Sequence, residues 1–181
     1  MKTIIAFVIV AFFLGGCSNN TSRRETLQKI KKWENREIIF PSELLLLCQQ
    51  QDSSFASRLK NKYKILHYID SSGCTPCKLT LFEWNQLLKT LQDTRKEVAF
   101  VFIISTNDST NIMKINKWKE LHKCPYPIFY DRKNLLDDKN KIINDPMFQT
   151  FLLDQNNKVI LIGNPVGNTD LQNLYKKTIH P

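Results

Sequence analysis

Between Glu97 and Ser105 the chain reads Val98-Ala99-Phe100-Val101-Phe102-Ile103-Ile104, an apolar run with no polar interruption. A half-buried strand would alternate, and a helix crossing a bilayer would need roughly twenty apolar residues. An unbroken run this short is the pattern of a strand covered on both faces. Covering both faces requires helices above and below, so this segment commits the chain to an α/β architecture.

The segments around it supply the layers. Residues 64–69 read as a strand, and residues 77–91 as a helix whose Leu81, Trp84, Leu88 and Leu91 recur at spacings of three and four. Asn107-Asp108-Ser109 can cap a helix that continues through Ile112, Ile115, Trp118 and Leu121 to Lys123. Residues 127–130 read as a short strand. Residues 150–154 and 158–162 form a hairpin across Gln155-Asn156-Asn157, and residues 170–179 a last amphipathic helix. The predicted sheet is parallel first and antiparallel after. The front of the chain is less regular. Residues 21–34 read as a polar helix with Leu27, Ile30 and Trp33 on one face, and residues 36–40 as a strand stopped by Pro41. Residues 44–48 fit strand or helix equally, and residues 49–62 a loop with one helical turn.

Cys74-Thr75-Pro76-Cys77 lies where the first core strand gives way to a helix. The unpaired N–H groups and dipole of a helix start favour a thiolate, the form that attacks a disulfide. The second cysteine, one turn later, can close the pair again. Pro76 is tolerated in a first helical turn, where its missing N–H costs nothing. Three other uses of the pair remain open: a structural disulfide, half of a zinc site completed by His122 and Cys124 or His67, and a redox-silent domain that keeps the fold.

The first residues address the chain. Lys2 precedes an apolar run over residues 4–14, about the length of a secretory signal core, ending in Leu14-Gly15-Gly16-Cys17. This resembles the lipobox of bacterial lipoproteins. The resemblance implies a signal peptide over residues 1–16 and acylation (palmitate included) of Cys17, with Ser18-Asn19-Asn20 as the start of a tether. It implies a bacterial cell-envelope location, an outer membrane being favoured by Ser18. An ordinary signal peptide or a short anchor helix is the alternative. A hydrophobic fraction of 42% suffices for a core, and the net charge of +9 is spread along the sequence. That charge reads as a solvated basic surface; its sharper version is a preference for anionic headgroups or acidic partners. Basic and aromatic residues are not interleaved as nucleic-acid binding would need.

The strand, CxxC, helix order followed by a hairpin and a helix resembles the thioredoxin superfamily, and within it the exported, membrane-tethered thiol-disulfide oxidoreductases related to peroxiredoxins (the TlpA-like type). The resemblance covers roughly residues 62–180, including Thr150-Phe151-Leu152-Leu153-Asp154 and Asn156-Asn157-Lys158-Val159 as a hairpin signature. It implies a three-layer sandwich around a mixed central sheet over residues 62–181, with residues 17–61 as tether and N-terminal extension. It implies thiol-disulfide exchange on envelope proteins, with Cys74 as nucleophile and Cys77 as resolving thiol. No bound cofactor or metal is implied. Partners would be protein thiols and disulfides and a dithiol that returns electrons. The alternative function is a non-catalytic binding module at the envelope.

Several positions depart from that family. The buried acid expected six residues before the first cysteine is Tyr68; Asp70 could substitute or merely cap the turn. Gly73 replaces the usual tryptophan. The cis-proline expected before the hairpin falls, by counting, on Phe148, with Pro146 two residues earlier. Either Pro146 swings into that slot or the chain lacks a cis-proline. Pro146, Met147 and Phe148 are the expected substrate-docking segment. Cys48 and Cys124 form either a second disulfide or two buried free thiols. His67 reads as facing a sheet surface and His122 as closing a helix. Asp131, Asp137 and Asp138 read as solvated loop residues, and Trp33, Trp84 and Trp118 as core.

Overall fold

The computed structural model describes residues 18–70, 79–90, 98–142 and 145–180, with side chains from residue 23 onward. Two compact units meet in the sequence between Glu34 and Asn35. The first holds helix α1, Ser18–Trp33. The second holds every other element.

The expected mixed sheet is present, with five strands in the order β3-β2-β1-β4-β5. Strand β1 (Tyr63–Ile69) lies at its centre. It runs parallel to β2 (Val98–Ser105), which runs parallel to β3 (Ile128–Asp131). On the other side β1 is antiparallel to β4 (Thr150–Leu153), which is antiparallel to β5 (Val159–Ile162). Every residue of β2 is buried, as its unbroken apolar run requires.

Alternate side chains feed two cores. One face of the sheet carries Ile65, Ile69, Phe100, Phe102, Ile104 and Leu152. Against it pack Leu81, Trp84 and Leu88 of α4 (Leu81–Thr90), Ile115 of α5 (Ser109–Leu121), and Tyr175 and Ile179 of α7 (Thr169–Ile179). The caps are local: Asp108 accepts from Thr110 N at 2.8 Å to start α5, and Asn168 from Leu171 N at 3.0 Å to start α7. The opposite face is covered by α2 (Ser42–Gln51), α3 (Phe55–Leu59) and α6 (Leu135–Asn140). There the Phe55 and Phe129 rings meet edge to face, centroids 4.5 Å apart.

Three expectations at the front and middle of the chain give way. Residues 36–40 do not form a strand; a single bridge, Glu37 to Lys158, is made. The side chain of Asn140 takes over the backbone of Ile39, accepting from its N–H and donating to its carbonyl at 2.8 Å each, so pairing cannot continue. The ambiguous run at 44–48 is helical, because Pro41 precedes the helix and its carbonyl accepts from Leu45 N. The loop expected around Asp137 and Asp138 contains α6. Asp131 is not solvated: it is buried and accepts from Leu135 N at 3.0 Å and Leu136 N at 2.9 Å, satisfying the first turn of that helix.

Both outer edges of the sheet are occupied. Gln51, the last residue of α2, pairs with Tyr130 of β3, accepting from its N–H at 2.7 Å and donating to its carbonyl at 3.0 Å. At the start of β5, Val159 N donates to Arg36 O at 2.8 Å and Asn35 N to Val159 O at 2.9 Å.

Candidate functional site

Cys74 and Cys77 lie outside the described residues, as does Cys17. What is described is the corner of the sheet on which the sequence around the pair converges. The chain enters the interval 71–78 from the C-terminal end of β1 and leaves it at Leu79, which is buried in the core beneath α4.

At that corner β1 ends beside the beginning of β4. Tyr68 N donates to Gln149 O at 2.9 Å, one step beyond the sheet register. The Gln149 side chain reaches the residue next to the interval: its Nε2 donates to Asp70 Oδ2 at 2.9 Å. Gln149 is itself buried, so its amide is a fixed donor aimed at that carboxylate. Nothing in the sequence singled out Gln149. Below this pair His67 and Thr150 lie opposite each other in the register, with His67 Nδ1 2.8 Å from Thr150 Oγ1. His67 does face the sheet surface, but that surface is covered by α4. It is buried, with the Trp84 and Phe102 rings at 5.1 and 6.0 Å. Strand alternation brings it to the α4 side, where those rings need a flat partner.

The segment before β4 forms one turn of 3-10 helix, Pro146–Phe148. Asp145 starts it, its carboxylate accepting from Met147 N at 3.1 Å and its carbonyl from Phe148 N at 2.8 Å. Pro146 fits the first position of such a turn because no donor is needed there. No peptide bond among the described residues is cis, so Pro146 does not fill a cis-proline slot. Pro146 and Met147 are exposed and Phe148 is buried. Beside them runs Gly163, whose φ of +130° is a backbone conformation that residues with a Cβ rarely adopt; an added Cβ would also press on Leu171 Cδ2 at 3.0 Å.

The other candidate residues separate from this corner. Tyr68 points to the opposite face, donating its hydroxyl to Asn134 Oδ1 at 2.8 Å, and burial pushes its ionisation well above the usual range. It cannot replace a titrating acid near neutral pH. Asp70 is the carboxylate that the described residues place at the corner. Cys48 and Cys124 are buried free thiols, not a disulfide. Burial, with Asp131 nearby, pushes Cys48 up to about 12, and burial raises Cys124 as well. His122 ends α5, its ring stacked on Trp118 and its carbonyl accepting from Asn85 Nδ2 at 2.6 Å. Trp118 is not core: helix α5 turns it outward, 44% exposed, while Trp33 and Trp84 are buried. Among the described residues no group of three or more His, Cys, Asp or Glu could hold a metal ion. Nor is any described helix long and apolar enough to cross a membrane.

The fold is shared with solved thiol-redox proteins. The thiol:disulfide interchange protein DsbE from Chlorobium tepidum is 17% identical, with a TM-score of 0.51 over 68% of this chain and 84% of its own. The peroxidoxin BcpB from Mycobacterium tuberculosis is 15% identical, with a TM-score of 0.51 over 70% of this chain and 85% of its own. The thioredoxin domain of a thiol-disulfide oxidoreductase from Bacteroides vulgatus is 18% identical, with a TM-score of 0.50 over 68% and 84%. No curated protein sequence matches. Residues 40–162, which span β1 to β5 and include both cysteines of the CxxC, match the AhpC/TSA family, and the chain therefore belongs to the AhpC/TSA family with a thioredoxin-like fold.

Proposed function

We propose that the chain exchanges thiols and disulfides with proteins of the cell envelope through Cys74 and Cys77, held at a membrane by acylated Cys17. The observation that carries this reading is membership of the AhpC/TSA family over an interval containing both cysteines, on a thioredoxin-like sheet. In the reducing direction, the Cys74 thiolate attacks a substrate disulfide, forming a mixed disulfide and releasing one substrate thiolate. The Cys77 thiolate then attacks the Cys74 sulfur and releases the second. The Cys74–Cys77 disulfide so formed is reduced by a partner dithiol. Asp70, held by Gln149 and next in sequence to the interval that contains the pair, would accept or return the proton. Substrate segments would dock along Pro146 and Met147, with buried Phe148 anchoring the turn.

The test is trapping in the full chain. Cys77→Ser should accumulate mixed disulfides with envelope proteins and Cys74→Ser should not. The Cys74–Cys77 pair should equilibrate with glutathione at a defined potential. Equal trapping by both variants, or a pair that does not cycle, overturns the reading. The trans peptide at Pro146 favours one rival, a redox-silent docking module, which would hold a stable disulfide or none. Cleavage before an acylated Cys17 is read by intact mass; an N-terminus at Ser18 or beyond overturns the anchor.

A further inference from the structure

The outward face of α5 is not built like a solvated helix face. Met113, Trp118 and Leu121 are 66%, 44% and 72% exposed, and Lys114 and Lys117 lie exposed among them. At 3.6 residues per turn these five fall within an arc of roughly 140° on the side away from buried Ile115. No acid lies inside that arc; Glu120 stands at its border, beside Met113. A surface helix ordinarily turns polar residues outward and gathers its apolar ones toward the core. Here only Ile115 of the helix is buried. The surface continues past the helix end. A groove of about 390 Å³ lies between α4 and the residues that follow α5, walled by His122 and Lys123 on one side and Phe82, 56% exposed, on the other. The Trp118 indole is held at the rim by stacking on His122, centroids 5.0 Å apart.

We infer that this face of α5 docks on an anionic lipid bilayer, with Met113, Trp118 and Leu121 entering the headgroup region and Lys114 and Lys117 contacting lipid phosphates. An exposed indole among large apolar side chains suits the headgroup level of a bilayer, and lysines beside it can reach lipid phosphate. Long lysine stems lie along apolar neighbours while their ammonium groups reach phosphate. Charge selects the occupant. A second copy would oppose lysine to lysine, whereas an anionic surface meets the lysines and the apolar residues together. The overall charge of +9 acts in the same direction. The inference depends neither on the redox reading nor on how the N-terminus is attached. Its consequence would be a fixed orientation of the domain against the membrane.

Trp118 reports on this directly, because Trp33 and Trp84 are buried and the difference between the full chain and Trp118→Phe isolates its emission. The full chain is reconstituted in vesicles of phosphatidylglycerol or phosphatidylcholine, with brominated acyl chains as quenchers. On phosphatidylglycerol Trp118 emission should shift to the blue and be quenched several-fold more than on phosphatidylcholine. High salt or Lys114→Glu with Lys117→Glu should abolish the difference. Met113→Ser with Leu121→Ser should reduce the quenching while leaving a salt-dependent remainder. Equal Trp118 emission on both lipids overturns the inference and leaves the face to a protein partner. Quenching that survives both salt and charge reversal also overturns it.

Discussion

Thr150→Val tests the most enclosed polar contact of the candidate site. The change keeps the β-branched shape that suits β4 and removes only the hydroxyl. That hydroxyl lies 2.8 Å from His67 Nδ1, and both residues are buried. Loss of one partner of a buried hydrogen bond costs about 1–3 kcal/mol. The methyl that replaces the hydroxyl returns part of this, so about 1–2 kcal/mol is expected. For a domain of this size, that corresponds to a fall in Tm of about 2–8 °C. Urea unfolding should show a lower midpoint with an unchanged slope, since the surface exposed on unfolding is the same. The second half of the test is His67→Phe. Alone it should also destabilise, leaving the Thr150 hydroxyl facing a ring. Together the two replacements put apolar groups on both sides and should cost less than the sum of the singles. Additivity within about 0.5 kcal/mol, or a midpoint raised by Thr150→Val, would refute the contact as a source of stability.

The thiols should divide into two classes: in the folded chain at pH 8, Cys48 and Cys124 should resist iodoacetamide while Cys74 and Cys77 of the reduced pair react, as peptide mass mapping reads. Rapid native labelling of Cys48 would contradict its burial. Asp131→Ala removes the acceptor of three backbone N–H groups, those of Lys133, Leu135 and Leu136, and should cost about 1–3 kcal/mol for each one left buried, lowering the urea midpoint; labelling of Cys48 should also accelerate as the carboxylate leaves. Lys64 is buried, its ammonium donating to Leu59 O at 3.2 Å and Asn61 O at 3.4 Å, and burial lowers its pKa. Between that lowered value and the ordinary 10.5 the unfolded chain holds the extra proton, so stability rises with pH; unfolding measured on the way toward pH 10.5 should show wild type gaining on Lys64→Met.

Where one residue's neighbours in sequence decide its environment, the reading from sequence holds. The apolar run of β2, the Asp108 cap and the hairpin across residues 155–157 are local signals, and each element forms within about two residues of its expected ends. The misses share a different cause. Asn140 captures the backbone of Ile39 from a hundred residues away, and Asp131 is recruited by a helix of only six residues. His67 and Trp118 carry the right period for their elements; their burial depends on which neighbour covers them, which a single sequence does not state. The corner of the candidate site follows the same division. The position of the CxxC after β1 is legible, whereas the Gln149 to Asp70 contact joins two segments 79 positions apart through a residue type with no signature.

The pairing of Gln51 with Tyr130 and of residues 35 and 36 with Val159 has a further consequence. Sheet edges with free N–H and carbonyl groups template the addition of foreign strands and lead to aggregation. Here a side-chain amide imitates a peptide group on β3, and a short stretch of backbone does the same at β5. Neither guard belongs to the minimal strand-helix repeat; both come from the segment that precedes β1. A chain trimmed to begin at residue 62 would lose both guards together with α2 and α3, which cover one face of the sheet. Its bare edges and uncovered face should lead it to assemble when concentrated.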